Sequence, residues 1–308
     1  MTYSIVARDP ETGELGVAVQ SHWFSVGAIV PWALPGVGAV ATQANAEVSY
    51  GPRALELMQR GAGSHEALEQ LLAEDPGAAG RQVAVIDSAG QVAVHTGDAC
   101  MAHAGHVTAG GVSCQANIMT SERVWPAMLE AFVSAEGTLT RRLLASLDAG
   151  ERAGGDLRGR QSAAVLVVPA SGEPWEEVIS LRVEDHPDPL PELHRLVALH
   201  DAYRFASRAD ALVNEGRHDE AADAYRQAAE LAPENDELRF WAGLAYAQAG
   251  DLDTGARLVS EAIGQHAGWR ELLDRLQPDV APSAAAVRDR LISAAPGVSS
   301  GTVSPPPA

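Results

Sequence analysis

The sequence predicts an α+β protein, in which a four-layer α/β/β/α sandwich is followed by an all-α helical-repeat domain. Up to about residue 190, short apolar runs typical of strands alternate with paired helical segments, in the order strands, two helices, strands, two helices, strands. After about residue 202 the chain is alanine-rich and helical throughout. This helical part also repeats with a period near 34 residues, which is typical of stacked helical hairpins.

The first half of the sandwich begins with a predicted hairpin. TYSIVARD and GVAVQS are strand-like, and the turn-rich segment DPETGELG connects them. Two further extended segments, GAIVPWA and GVGAVATQA, continue the strand pattern. Helical spacing of leucine and alanine then predicts two helices, in GPRALELMQRG and SHEALEQLLAEDPG.

The second half repeats this order. RQVAVIDSAGQVAVHTG predicts a hairpin that turns at Ala89 and Gly90, and HVTAGGVSCQANIM continues the strands. Two helices are predicted next and a final strand pair after them, in SERVWPAMLEAFVSA, LTRRLLASLDAGERAGG, SAAVLVVPASG and EVISLRVEDH. Paired helices between sets of antiparallel strands favour two sheets packed face to face, each covered by a helical layer. A first strand in the middle of this stack would place residue 2 at the interior end of its sheet.

Composition excludes several classes of function. The chain has 308 residues and its 22 basic residues are all arginine, so chemistry that depends on lysine is excluded, including Schiff bases and lysine phosphate cradles. A formal charge of −19 argues against a phosphate-backbone footprint, and no nucleic-acid partner is expected. The sequence has neither a signal-peptide pattern nor an apolar stretch of membrane-spanning length, so no membrane partner and a cytoplasmic location are expected.

No metal or cofactor is expected. Cys100 and Cys114 do not have zinc-site spacing and are interpreted as small buried residues. His22, His95, His103 and His106 invite a metal hypothesis, but their spacing does not follow the usual ligand patterns. The glycine-rich segments are not dinucleotide fingerprints, because they do not open a helix with the required spacing.

Thr2 is the candidate nucleophile. Removal of Met1, which a small second residue permits, would give Thr2 a free α-amine beside its own hydroxyl group. An α-amine has a pKa of about 7.7–8.0, so its neutral fraction at pH 7 can accept the hydroxyl proton, directly or through water. One residue would then supply both nucleophile and base, with backbone N–H groups as the expected oxyanion hole.

The sequence resembles the DUF1028 proteins, an uncharacterised branch of the N-terminal nucleophile hydrolase superfamily. The segments that carry the resemblance are TYSIVARDPETGELGVAV, GVGAVATQA, YGPRALELM, AGGDLRGRQSAAVLVV and LRVEDHPDPLPEL. The resemblance implies the αββα fold and hydrolysis of an amide bond in a small molecule or short peptide. It places Thr2 at the nucleophile position. The peptidase branch of the superfamily uses a lysine to bias its nucleophile, so an arginine or a polar amide would have to replace it here.

The resemblance also implies neighbours for Thr2. Strand ends that run alongside the first strand place polar residues near its start, and the loop GGDLRGRQS supplies more. The candidate substrate-binding or supporting residues are Ser21, Thr42, Gln43, Asn45, Asp156, Arg158, Arg160, Gln161 and Ser162. Alternatively, this loop is a solvated turn in which Asp156 pairs with Arg158 or Arg160, worth at most about 1 kcal/mol if exposed.

Residues 1–193 are the expected hydrolase-like domain, 194–294 a helical domain and 295–308 a disordered tail. Small and large residues alternate in the helical part as in tetratricopeptide (TPR) repeats, in a first unit at Ala209, Leu212, Ala221, Tyr225, Ala228 and Pro233, and in a second at Gly243, Tyr246, Gly255, Val259 and Ala262. Such repeats predict a protein partner or self-association into an oligomer. The alternative to an enzyme is therefore a non-catalytic binding or scaffold protein on the same fold.

Overall fold

The computed structural model describes residues 2–294. Within that range the strands are β1 (Thr2–Arg8), β2 (Leu15–Ser21), β3 (Pro31–Leu34), β4 (Gly38–Ala44), β5 (Arg81–Asp87), β6 (Val92–Thr96), β7 (Gly105–Ala109), β8 (Val112–Asn117), β9 (Ser162–Val168) and β10 (Ile179–Val183). The α-helices are α1 (Tyr50–Gln59), α2 (Ser64–Glu74), α3 (Val124–Ser134), α4 (Leu139–Arg152), α5 (Pro189–Asn214), α6 (His218–Leu231), α7 (Asp236–Gln248), α8 (Leu252–Gln265), α9 (Gly268–Arg275) and α10 (Ala284–Ala294).

The strands form two antiparallel sheets. The larger sheet has the order β10-β9-β2-β1-β8-β7, and the smaller sheet has the order β3-β4-β5-β6. β1 pairs with β2 as the predicted hairpin, and on its other side it pairs with β8. The first strand therefore lies in the middle of the larger sheet, as the sequence predicts.

The side chains of β1 alternate between two cores, because successive residues of a strand point to opposite faces. Tyr3 and Ile5 pack with residues of α3 and α4, such as Met128 and Leu143. Val6 packs in a second core between the two sheets. Buried apolar residues on both faces explain why β1 reads as a nearly continuous apolar run.

The outer helical layer of the smaller sheet is formed by α1 and α2. Tyr50 and Leu55 of α1 and Leu71 of α2 pack against Val83 and Val85 of β5. Together with the α3 and α4 layer on the larger sheet, this completes the four-layer α/β/β/α sandwich. The predicted fold class is confirmed.

The chain divides into two compact units between Val197 and Ala198, inside α5. The boundary expected between residues 193 and 194 stays a prediction, and the expected disordered tail at 295–308 lies outside the described residues. Among the described helices, none combines the length and the apolar character needed to cross a bilayer.

The helical unit buries the small residues of the predicted repeat. Ala209, Ala221, Ala228 and Tyr225 are buried in a core shared by α5, α6 and α7. In the second repeat, Gly243 of α7 and Gly255 of α8 face each other. A Cβ atom added at Gly243 would lie 2.7 Å from the carbonyl oxygen of Gly255, so the two backbones approach more closely than side chains would permit.

We expect opposite effects from two glycine-to-alanine substitutions in this unit. Gly243→Ala should destabilise it by about 1–3 kcal/mol, because the added methyl group meets the backbone of α8. Gly264→Ala, near the end of α8, places its methyl group in open space and should stabilise the helix by up to about 1 kcal/mol. Chemical denaturation of the full chain, followed by far-UV circular dichroism, measures both effects. Changes of the same sign in the free energy of unfolding of the two variants would contradict this account of the repeat.

Candidate active site

Thr2 begins the central strand of the larger sheet. It is cross-strand partner to Ser21 of β2 and Asn117 of β8. Its Oγ1 lies 3.0 Å from the Oγ of Ser21, and the residue is only 5% exposed. Since side chains alternate along a strand, Thr2 shares the face of Ser4 and Val6, which is directed toward the second sheet.

A cavity of about 390 Å³ opens beside Thr2. Four of the predicted residues lie in its wall, and they are its polar lining: Thr2, Gln43, Asn45 and Arg158. The remaining lining is apolar and includes Trp23, Val26, Ile29, Val30, Met101 and Ile118. This volume falls in the lower part of the range found for small-molecule pockets. The hydroxyl-bearing residue and a ligand-sized space therefore occur together.

Gln43 connects Thr2 to the second sheet through buried hydrogen bonds. Its Oε1 accepts a 2.7 Å hydrogen bond from the Oγ of Ser4. Its Nε2 donates to the carbonyl oxygen of Thr2 at 3.2 Å and to the Oε1 of Gln82 at 2.8 Å. Amide side chains in a buried network lose mobility because each partner fixes the next. Gln43 thus holds the start of β1 in place.

Asp156 and Arg158 form a partly buried ion pair at the edge of the site. The Nη2 of Arg158 donates to the Oδ2 of Asp156 at 3.1 Å, and the Asp156 side chain is completely buried. The Asp156 carboxylate also accepts hydrogen bonds from the backbone N–H groups of His22 and Arg158. The pairing expected for a turn is present, but here the carboxylate is buried, and it fixes the segment after β2 through the N–H of His22. It also places Arg158 in the cavity wall.

Ser21 and Ser162 are neighbours in the sheet, each buried at its strand end. Ser21 contacts Thr2 directly through its hydroxyl group. Ser162 instead donates a 2.5 Å hydrogen bond to the carbonyl oxygen of Trp23 and accepts one from the N–H of Val26. Ser162 therefore fixes the loop that carries Trp23 into the cavity wall.

Three other predicted residues have their side-chain contacts away from the cavity. Thr42 donates to the carbonyl oxygen of Glu47, and Gln161 donates through its side chain to Asp185. Arg160 pairs with Glu151 at 3.4 Å and with Asp188 at 2.7 Å. Their expected support of the site stays a prediction, and these contacts make it indirect.

Sequence patterns did not single out the buried polar residues that complete the network. Gln82 accepts from Asn117 Nδ2 at 2.9 Å, and Gln115 donates to Ser4 at 3.3 Å. The Oδ1 of Asn117 is buried and has no hydrogen-bond partner within residues 2–294. The available signal was the spacing of Gln115 and Asn117, two polar residues on one face of a strand with both faces buried.

Backbone strain is concentrated around the cavity. The described non-glycine residues with positive φ are Ser25 (56°), Ala44 (68°) and Ile118 (55°). Ala44 and Ile118 line the cavity, and Ser25 lies between the lining residues Trp23 and Val26. Positive φ is a genuine outlier for a β-branched residue such as Ile118. Strained residues of this kind cluster at functional sites, each costing about 1–3 kcal/mol.

Two other titratable side chains near β1, those of Cys114 and Tyr3, are unsuited to nucleophilic chemistry. Complete burial raises the pKa of the Cys114 thiol to about 12, so it stays protonated. Burial and the carboxylate of Glu151, which accepts from the phenol at 2.9 Å, raise the pKa of Tyr3 well above its usual value. Within the described residues, no three histidine, cysteine or acidic side chains come together to hold a metal ion.

Comparison with known protein families matches both parts of the chain. Residues 2–193 match DUF1028, a family described as of unknown function. Residues 209–250 match a TPR repeat, in agreement with the period of the helical part. Comparison with curated proteins gives no match.

The solved structures that resemble the chain include the following two. Protein SPO2555 from Silicibacter pomeroyi, a DUF1028 protein with a crystal structure, is 35% identical, and the similarity covers 64% of this chain and 87% of that one with a TM-score of 0.59. Anbu (ancestral beta-subunit) from Yersinia bercovieri is 14% identical over 67% of this chain and 97% of that one, with a TM-score of 0.32. The second similarity is too low to support an inference about function.

Proposed function

We propose that this chain, which belongs to the DUF1028 family, is an N-terminal nucleophile amidohydrolase that cleaves an amide bond in a small molecule or short peptide. Thr2 is its nucleophile once the residue before it has been removed. The observation that carries the proposal is the position of the Thr2 hydroxyl group, at the inner end of a central strand and in the wall of a cavity of about 390 Å³.

In this mechanism the free α-amine of Thr2 is the base. Its neutral form takes the Oγ1 proton as Oγ1 attacks the substrate carbonyl carbon and forms a C–O bond. The amine then returns the proton to the leaving nitrogen as the C–N bond breaks, and water hydrolyses the resulting ester. Ser21, 3.0 Å from Oγ1, orients the hydroxyl group. The Oδ1 of Asn117, which has no hydrogen-bond partner among the described residues, is suited to accept a hydrogen bond from the amine.

Stabilisation of the oxyanion is assigned to the segment that follows Gln43. Ala44, Asn45 and Ala46 all line the cavity, and the positive φ of Ala44 turns the chain there. The side-chain amide of Asn45 and the backbone N–H of Ala46 can donate to a developing negative charge in such a turn, whereas the backbone N–H of Asn45 already donates to the carbonyl oxygen of Gly80 at 3.1 Å. Since this chain contains no lysine, we assign to Arg158, which lies in the cavity wall and is paired with Asp156, the electrostatic role that a lysine has in the peptidase branch of the superfamily.

A second candidate function is supported by the helical unit. The TPR match over residues 209–250 favours a protein that recruits a partner or self-associates, with the sandwich serving as a binding domain without turnover. The two candidates differ at Thr2, because binding alone does not require a free amine there.

Intact mass spectrometry tests the first requirement of the proposal. Protein expressed without an N-terminal tag should have the mass of a chain that begins at Thr2, with an unmodified amine. Edman degradation should then release threonine in its first cycle. Complete retention of Met1, or acetylation of Thr2, would leave no basic amine on Thr2. Either result would contradict the hydrolase mechanism and leave the binding function open.

A further inference from the structure

The surface around the mouth of the cavity is strongly apolar. Three side chains that line the cavity are also exposed and form an apolar rim: Trp23, Val48 and Met101. Trp23 is 58% exposed, Met101 is 66% exposed, and both also line the cavity. Exposed aromatic and aliphatic groups gathered at one place on a protein surface mark a binding site, whereas single exposed apolar residues need no explanation.

The interior of the cavity continues this apolar character. Val26, Val30 and Ile118 belong to its wall, and its one charged lining residue is Arg158. That charge is compensated by the buried carboxylate of Asp156 at 3.1 Å. A substrate cation would find no uncompensated anion in this lining, and a substrate anion would find only the α-amine of processed Thr2, which must be neutral to act as the base, so burial of a charged group is unfavourable. The net charge of −19 further disfavours anions.

From this lining we infer that the cavity selects substrates that carry a neutral apolar group, of aryl or branched alkyl type, next to the amide carbonyl. This inference rests on the proposed function, in which the Oγ1 of Thr2 attacks the substrate carbonyl carbon. The apolar group would lie between the apolar rim and Ile118, and the carbonyl would face Thr2.

Boronic acids test the inference without knowledge of the natural substrate. The Oγ1 of Thr2 adds to boron, and its proton passes to the α-amine, which gives a tetrahedral adduct with no bond broken in the probe. Three probes of similar length present different groups: 2-phenylethylboronic acid is apolar, 2-carboxyethylboronic acid is anionic and 3-aminopropylboronic acid is cationic. Isothermal titration calorimetry of the full chain, processed to Thr2, gives the three dissociation constants.

We expect the apolar probe to bind at least about tenfold more tightly than either charged probe, because its aryl group is removed from water. Trp23→Ala should reduce this preference several-fold. Trp175→Ala is the matched control, since Trp175 is 74% exposed but does not line the cavity, and it should leave the preference unchanged. Circular dichroism of each variant verifies that it is folded.

The outcomes separate the two proposals. Equal affinities for all three probes, all lost in Thr2→Ala, would overturn the apolar selectivity and leave the hydrolase proposal intact. If none of the three probes binds through Thr2, both the apolar selectivity and the hydrolase proposal are wrong. If Trp23→Ala dissociated an oligomer in sedimentation velocity and left the preference unchanged, the apolar rim would be a contact between copies of the chain, and the substrate inference would be wrong.

Discussion

Thr2→Ala should abolish amide hydrolysis and adduct formation while the protein stays folded. Removal of the hydroxyl group takes away the attacking atom, and loss of a nucleophile typically lowers kcat by a factor of about a thousand or more. The substitution also removes the hydrogen bond with Ser21, which should cost only about 1 kcal/mol of stability. The rate is measured on a panel of amides that the processed wild-type chain hydrolyses, and folding is measured by chemical denaturation.

Two further variants serve as the conservative substitution and the control in this experiment. Thr2→Ser keeps both the hydroxyl group and the α-amine and should retain adduct formation. Thr12→Ala alters a threonine in the exposed turn between β1 and β2, outside the cavity lining, and should keep the wild-type rate. Hydrolysis by Thr2→Ala at the wild-type rate would show that another group performs the chemistry.

Gln43→Ala should produce the largest loss of stability among substitutions of polar site residues. It removes the acceptor of the Ser4 hydroxyl proton, one partner of Gln82 and the hydrogen bond to the Thr2 carbonyl oxygen. The unsatisfied buried groups, together with the space left between the sheets, should cost about 3 kcal/mol or more. The midpoint of urea denaturation of the full chain measures the effect.

Gln70→Ala is the control for this substitution. Gln70 lies on the exposed face of α2, where its side chain has one hydrogen bond, at 3.3 Å to Glu74. Its replacement should change stability by no more than about 0.5 kcal/mol. If Gln43→Ala lost as little stability as this control, water would have to replace the hydrogen bonds of the lost amide. The proposal that Gln43 holds β1 in place would then be wrong. Gln43→Ala should also reduce boronate binding, because the carbonyl oxygen of Thr2 loses its hydrogen bond from Gln43.

The fold was predictable because its local signals agree with its layers. β1 and β2 carry apolar side chains on both faces and are separated by a turn-rich segment, which predicts a buried hairpin. The paired helices carry apolar residues at helical spacing, such as Leu143 and Leu147 of α4. These patterns are local, so they can be recognised in the sequence before any contact between distant segments is known.

The candidate site was only partly predictable, because it depends on contacts between distant segments. Arg158 and Arg160 look equivalent in the sequence, yet the first lines the cavity and the second pairs with Glu151 and Asp188. The difference arises because Asp156 is buried and holds Arg158. Likewise, no local pattern predicts that Ile118 adopts a positive φ, since this conformation is disfavoured for its residue type.

The location of Thr2 at the head of a strand that is paired on both sides has a practical consequence for anyone who purifies the protein. An affinity handle fused ahead of Thr2 converts its amine into a peptide nitrogen, which cannot act as a base. With Thr2 as the proposed nucleophile, preparations of this kind would show no activity for a reason unrelated to substrate choice. Handles attached beyond residue 308, or removed by a protease that leaves threonine first, avoid such false negatives.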